Sequence, residues 1–216
     1  MTVSEPKLPN YGSLDDWPAI LAVIETNPPP AIWNEIYDAC LGARLQSRYF
    51  GPIKTITDKG ERRGEGFAIM TIQCAVIEFL AALRVGWRFD HGNFRHGEGF
   101  RYWDSKRLYT DFLRRTDPFK AHFNKPQAKQ FYVDIRCALV HEAQLRGRWA
   151  LKAKSGTAKI IDFDNFHINR DRFGSTIVEY LYSYRSELAV SADLQLAFVR
   201  KFNDLFENRP VDTASV

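Results

Sequence analysis

The chain has 216 residues, a mass of 25.0 kDa, 45% hydrophobic and 14% aromatic residues, and a formal net charge of +4. That length suits one domain with an ample core, and the apolar fraction excludes a disordered chain. A surplus of four charges excludes a histone-like polycation, although 19 Arg against 11 Lys favour phosphate, which a guanidinium grips in bidentate fashion.

Residues 1–12 read as a loose tail, without the apolar stretch of a secretory signal. Ser13 and Asp16 have capping-box spacing, with Asp in place of Glu or Gln, and open a helix through about Glu25. Asn27 and three prolines stop it. Ile32, Trp33, Ile36, Tyr37, Cys40, Leu41 and Leu45 recur at three- and four-residue spacing and predict a second helix. Residues 51–66 read as a polar loop or ragged hairpin, without the G-K-[ST] of a nucleotide-binding loop. Residues 67–87 are apolar on nearly every face. Gln73, Glu78 and Arg84 within them indicate a buried central helix and not a membrane span. In the glycine-containing loop 86–99, His91, His96 and Glu98 lack the helical register of a metal-binding pair, so no metal site is expected.

Residues 105–115 predict a short helix closed by Asp117-Pro118. A longer one is expected from Pro126 to about Arg146, with Gly147 past its end. Residues 149–154 and 159–163, joined by Ser155-Gly156-Thr157, read as a small β-hairpin. Residues 170–188, striped by Phe173, Ile177, Tyr180, Leu181 and Tyr184, and residues 192–206 predict two closing helices. The expected fold is mainly α with one or two small β-hairpins. It divides into an N-terminal helical extension (1–60), a helical domain (61–207) and a disordered tail (208–216). Cys40, Cys74 and Cys137 fit buried thiols in a reducing compartment, so a cytoplasmic protein is expected.

The segment FYVDIRCALVHEAQLRGRW, residues 131–149, places Arg136 five positions before His141 on the expected helix. Arg to hold a phosphate and His to move a proton is a pairing suited to phosphodiesters. The spacing alone is weak, arising about 0.4 times by chance in this composition. Five residues at about 100° each set the two side chains about 140° apart, better suited to a cleft wall or a two-fold axis than to one stripe. The purely structural alternative pairs Arg136 with Glu78 or Asp134 and hydrogen-bonds His141 near the helix C-terminus.

In order and local wording this segment resembles the RxxxxH motif of the HEPN superfamily, small helical proteins that include metal-independent RNA-cleaving toxins and defence nucleases. The likeness covers roughly residues 65–205, including the earlier long helix with Gln73 and Glu78; the first 60 residues have no counterpart. It implies an antiparallel helical bundle and a homodimer whose motif helices build one composite site. It further implies RNA as substrate, no cofactor, and a partner of antitoxin or nucleotidyltransferase type; no membrane partner is expected, given the polar residues within 67–87. Arg136 would neutralise the scissile phosphate, His141 would serve the ribose 2′-OH or the leaving 5′-oxygen, and Glu78 would orient one of them. Cys137 departs from the Asn or Asp that many members carry there. Arg146, Arg148 and Lys152, with Lys154 and Lys159, are candidates to guide an RNA backbone, and Trp149 or Tyr132 to stack a base. The alternative is a non-catalytic helical module that binds RNA, a nucleotide or a protein, since fold does not secure activity.

Overall fold

The computed structural model describes residues 17–59, 64–153 and 159–207. The Ser13/Asp16 capping pair, Lys154, the Ser155-Gly156-Thr157 turn and the tail 208–216 lie outside them. The structure is 71% helical, with seven helices and a few short strands, and is therefore mainly α as expected.

Helix α1 (Trp17–Glu25) ends where expected, and Asn27 turns the chain through a positive φ of 53°. Helix α2 (residues 30–59) begins on Pro30, whose missing amide costs nothing in a first turn. It then departs from expectation. Residues 51–59 continue as helix Gly51–Lys59 where a loop or hairpin was expected. Their polarity marks an exposed helix with no buried residue. Pro52 is tolerated because a π-turn, Gln46–Phe50, widens the backbone just before it, the Gly51 amide donating to the Gln46 carbonyl. A Cβ at Gly51 would stand 2.9 Å from that oxygen, so the turn requires glycine. A second π-turn, Tyr37–Gly42, lies one segment earlier.

Helix α3 (Glu65–Val85) is the central element, followed by α4 (Ser105–Arg115), α5 (residues 125–142), α6 (Arg170–Leu188) and α7 (Ala192–Glu207). Although α3 is long and apolar enough to cross a membrane, 56% of its most apolar window is buried in the protein. It packs against α4, α6 and α7 as a core helix. Gly86 terminates it at φ 69°, and a Cβ there would meet the Ala197 carbonyl oxygen of α7 at 2.6 Å. Gly86→Ala should therefore cost about 2 kcal/mol or more, combining left-handed strain with overpacking. Urea denaturation checks this, and an unchanged midpoint would refute it.

The N-terminal helices are built into the same core. Trp17 stacks on Phe206 at 5.1 Å and lies 5.5 Å from Phe202, while its indole donates to Asn203 Oδ1 at 2.8 Å. Trp33 meets Phe198 edge-on, and Arg185 of α6 forks onto Asp38 of α2 at 2.9 and 2.6 Å. Around α3 a second aromatic group joins Phe112, Phe119, Phe131, Phe173 and Tyr180. Each fully buried ring of this kind contributes roughly 2–3 kcal/mol of hydrophobic free energy.

Strands β1 (Arg88–Phe89) and β2 (Arg101–Tyr102) pair in parallel across the 86–104 loop. Strands β3 (Ala150–Lys152), β4 (Ile161–Asp162) and β5 (His167–Asn169) form a sheet of order β3-β5-β4. The expected pairing of 149–154 with 159–163 is thus corrected: β5 lies between them, parallel to β3 and antiparallel to β4. The hairpin present is β4–β5. Ile168, fully buried, gives β5 its place at the centre.

Candidate functional site

Helix α5 carries the Arg136–His141 pair. Asn124 and Gln127 cap its start reciprocally, with Pro126 in the first turn. The helix is α over Lys125–Phe131, π over Tyr132–Cys137 and α again over Ala138–Glu142. It ends one turn earlier than the sequence pattern predicts. Ala143 takes a φ of 53°, the Arg146 amide reaches back to the Asp134 carbonyl at 3.0 Å, and Trp149 donates to Asp134 Oδ2 at 3.4 Å. Packing of Leu145 and Trp149 on the core overrides the helical preference of Ala-Gln-Leu-Arg.

The π-turn presents Arg136 to α3. Its Nη2 donates to Glu78 Oε2 at 2.7 Å, and the Ser105 hydroxyl, at the start of α4, donates to Glu78 Oε1 at 2.7 Å. Both charged side chains are largely buried, at 20% and 17% exposure. The guanidinium lies 5.5 Å from the Tyr132 ring centre. Burial alone pulls its pKa down, but the adjoining Glu78 carboxylate outweighs this and raises it, so Arg136 is a permanent cation. Burial pushes the Tyr132 phenol up to about 12, and burial, then the Glu78 charge, holds Tyr102 in its neutral form. Tyr109 Oη lies against the Cys74 thiol, buried and without a conventional hydrogen-bond partner. Three helices therefore converge on one ion pair walled by tyrosines.

Burial pushes Cys74 and Cys40 each up to about 12. At pH 8 roughly one such thiol in ten thousand is ionised. Iodoacetamide should therefore label half-buried Cys137 in the native protein, and Cys40 and Cys74 only after denaturation. Peptide mass spectrometry reads this directly, and native labelling of Cys74 would refute it.

His141 stands apart. It is exposed in the last turn of α5, and among the described residues no hydrogen bond or ion pair engages it. Arg136 and Glu78 are brought together; His141 joins neither within one chain. Its neighbour Val140 is 51% exposed. Of the expected RNA-guiding residues, Arg146 pairs with Glu142, Arg148 lies 4.5 Å over the Phe166 ring, and Lys152 projects from β3 into solvent. Trp149 and Tyr132 are both buried, so neither presents a free face to a base. His91 and His96 pack edge-on against Phe89 and Trp87, and the Glu98 carboxylate accepts from the Arg95 amide. Among the described residues no group of three or more His, Cys, Asp or Glu is placed to hold a metal ion.

Sequence reasoning missed Ser105 and the tyrosine wall. Ser105 opens α4 directly after Asp104, which caps that helix by accepting from the Arg107 amide. Nothing local tells that its hydroxyl faces Glu78, 27 residues earlier. No family model, curated protein or solved structure matches the chain.

Proposed function

We propose that the chain is a metal-independent endoribonuclease that acts as a two-fold dimer, with Arg136 and His141 of both protomers lining one groove. The observation that carries this reading is a largely buried arginine, fixed by Glu78 and Ser105, on the same helix as an exposed and unengaged histidine. The two residues are about 7.5 Å apart along the helix axis. The resemblance to HEPN nucleases points the same way, and exposed Val140 beside His141 offers apolar area to a second copy.

Glu78 occupies one nitrogen of Arg136, and the fork has further N–H donors for a phosphate oxygen. One neutral His141 takes the proton of a ribose 2′-OH as its oxygen attacks phosphorus. The imidazolium of the other protomer gives its proton to the departing 5′-oxygen. The products carry a 2′,3′-cyclic phosphate and a 5′-OH. Charge is balanced by Arg136, and both proton transfers by imidazoles, so every role is filled by a side chain.

A second reading is favoured by one observation: Arg136 already has a carboxylate partner, as a purely structural arginine would. On that reading the chain binds without cutting. Sedimentation at micromolar concentration should show a dimer, and Val140→Asp should yield monomers without activity. A wild-type monomer that cleaves RNA would overturn the composite site.

A further inference from the structure

The outer face of the α4–α5 hairpin is an open groove of about 710 Å³. Lys106, Arg107, Arg114 and Arg115 line it from α4, and Lys125 and Lys129 from α5. Two carboxylates, Asp104 and Asp111, oppose these six cations. The groove therefore carries a formal excess of four positive charges. Asp111 engages Arg114 at 2.7 Å and Arg115 at 3.8 Å. Among the described residues no carboxylate forms an ion pair with Lys106, Arg107, Lys125 or Lys129.

The geometry suits a polyanion. The cation pairs at 106/107 and 114/115 are separated by eight residues, about 12 Å of helical rise. That span lets the two cation pairs meet different phosphates of one strand. The helices run antiparallel, so the Lys106 end of the groove lies where Ser105 meets Glu78 and Arg136. Two residues before Ser105, and next to the lining residue Asp104, Trp103 is 54% exposed. An unpaired base stacks on such a ring, whereas a base inside a duplex cannot reach it.

We infer that this groove holds the sugar–phosphate backbone of single-stranded RNA and leads it toward Arg136, with Trp103 stacking a base at the near end. The choice of RNA rests on the endoribonuclease reading; the site itself rests on the charge and the exposed ring. This surface is distinct from Arg146, Arg148 and Lys152, where the sequence pattern had placed RNA guidance.

The test uses the full chain and a fluorescein-labelled 12-mer with 2′-O-methyl riboses, which lacks the attacking hydroxyl and stays intact. Anisotropy titrations are run from 50 to 300 mM salt. The double variants K106E/R107E and K125E/K129E should each weaken binding at least tenfold. Each should also flatten the dependence of log K on log salt by about 0.7 per lost phosphate contact. Trp103→Ala should weaken binding about tenfold without changing that slope. The double variant K54E/K59E, with the same charge change on distant α2, should bind as wild type. The inference is overturned if both groove variants bind as wild type, if the loss follows R146E/R148E instead, or if no single strand binds and an acidic protein does. Binding through the groove with no cleavage of ordinary RNA sinks the nuclease and keeps the groove. Cleavage undiminished by groove reversals does the opposite.

Discussion

On the nuclease reading proposed above, His141→Ala should lower RNA cleavage by about a hundredfold or more while leaving the unfolding midpoint unchanged. The two halves of this expectation have separate physical origins. Activity would fall because the substitution removes the imidazole that the proposed mechanism uses as base and acid. Stability holds because the side chain is exposed and makes no hydrogen bond or ion pair that the substitution would remove. Cleavage should survive EDTA. Its pH profile should be bell-shaped, since one histidine must be neutral while its symmetry mate is protonated. Labelled total RNA, incubated with wild type and variant in EDTA across a pH series, gives all three readouts. Full activity in His141→Ala, or activity lost to EDTA and restored by magnesium, would remove the mechanism.

Arg136→Ala has a different signature: cleavage lost, and about 2–3 kcal/mol of stability lost with it. Removing the guanidinium strands the largely buried Glu78 carboxylate with only the Ser105 hydroxyl. Arg136→Met with Glu78→Leu should recover much of that stability, because apolar replacement of both partners leaves no orphaned charge. The double variant should remain inactive. Arg136→Lys should rescue little activity, as an ammonium cannot hold a carboxylate and a phosphate through one planar fork. Denaturant titrations of Arg136→Met, Glu78→Leu and the double variant give the coupling energy. Additive losses would mean that the pair is not coupled as the 2.7 Å contact requires.

The legible parts of the fold were those with a strong local cause. The prolines at 28–30 and the aromatic stripe of residues 170–188 each act within a turn or two: α1 ends before the prolines, α2 begins on the last of them, and α6 spans the striped residues as expected. Residues 51–59 were misjudged because Gly51-Pro52 ordinarily breaks a helix, and the compensating π-turn is not a pattern of polarity. The early end of α5 escaped for the opposite reason: Ala143 is a good helix former, and a contact with Asp134 decides its conformation. In the candidate site, Glu78 and Arg136 were both readable as a charge inside an apolar run, and they do meet. Ser105 and the basic face of α4 were not, since a hydroxyl or a lysine on a helix looks the same whether it faces solvent or a site.

The packing of Trp17 against Phe202 and Phe206 has a consequence for how the protein is made. The hydrogen bond from the Trp17 indole reaches Asn203 across 186 residues of chain. While the protein is still on the ribosome, α1 has no partner for its indole, and the Trp33 side chain on α2 waits for Phe198. This side of the core can close only once α7 has been synthesised and has emerged. A truncated translation product would carry exposed tryptophans and an unfinished core, a natural substrate for chaperones and proteases.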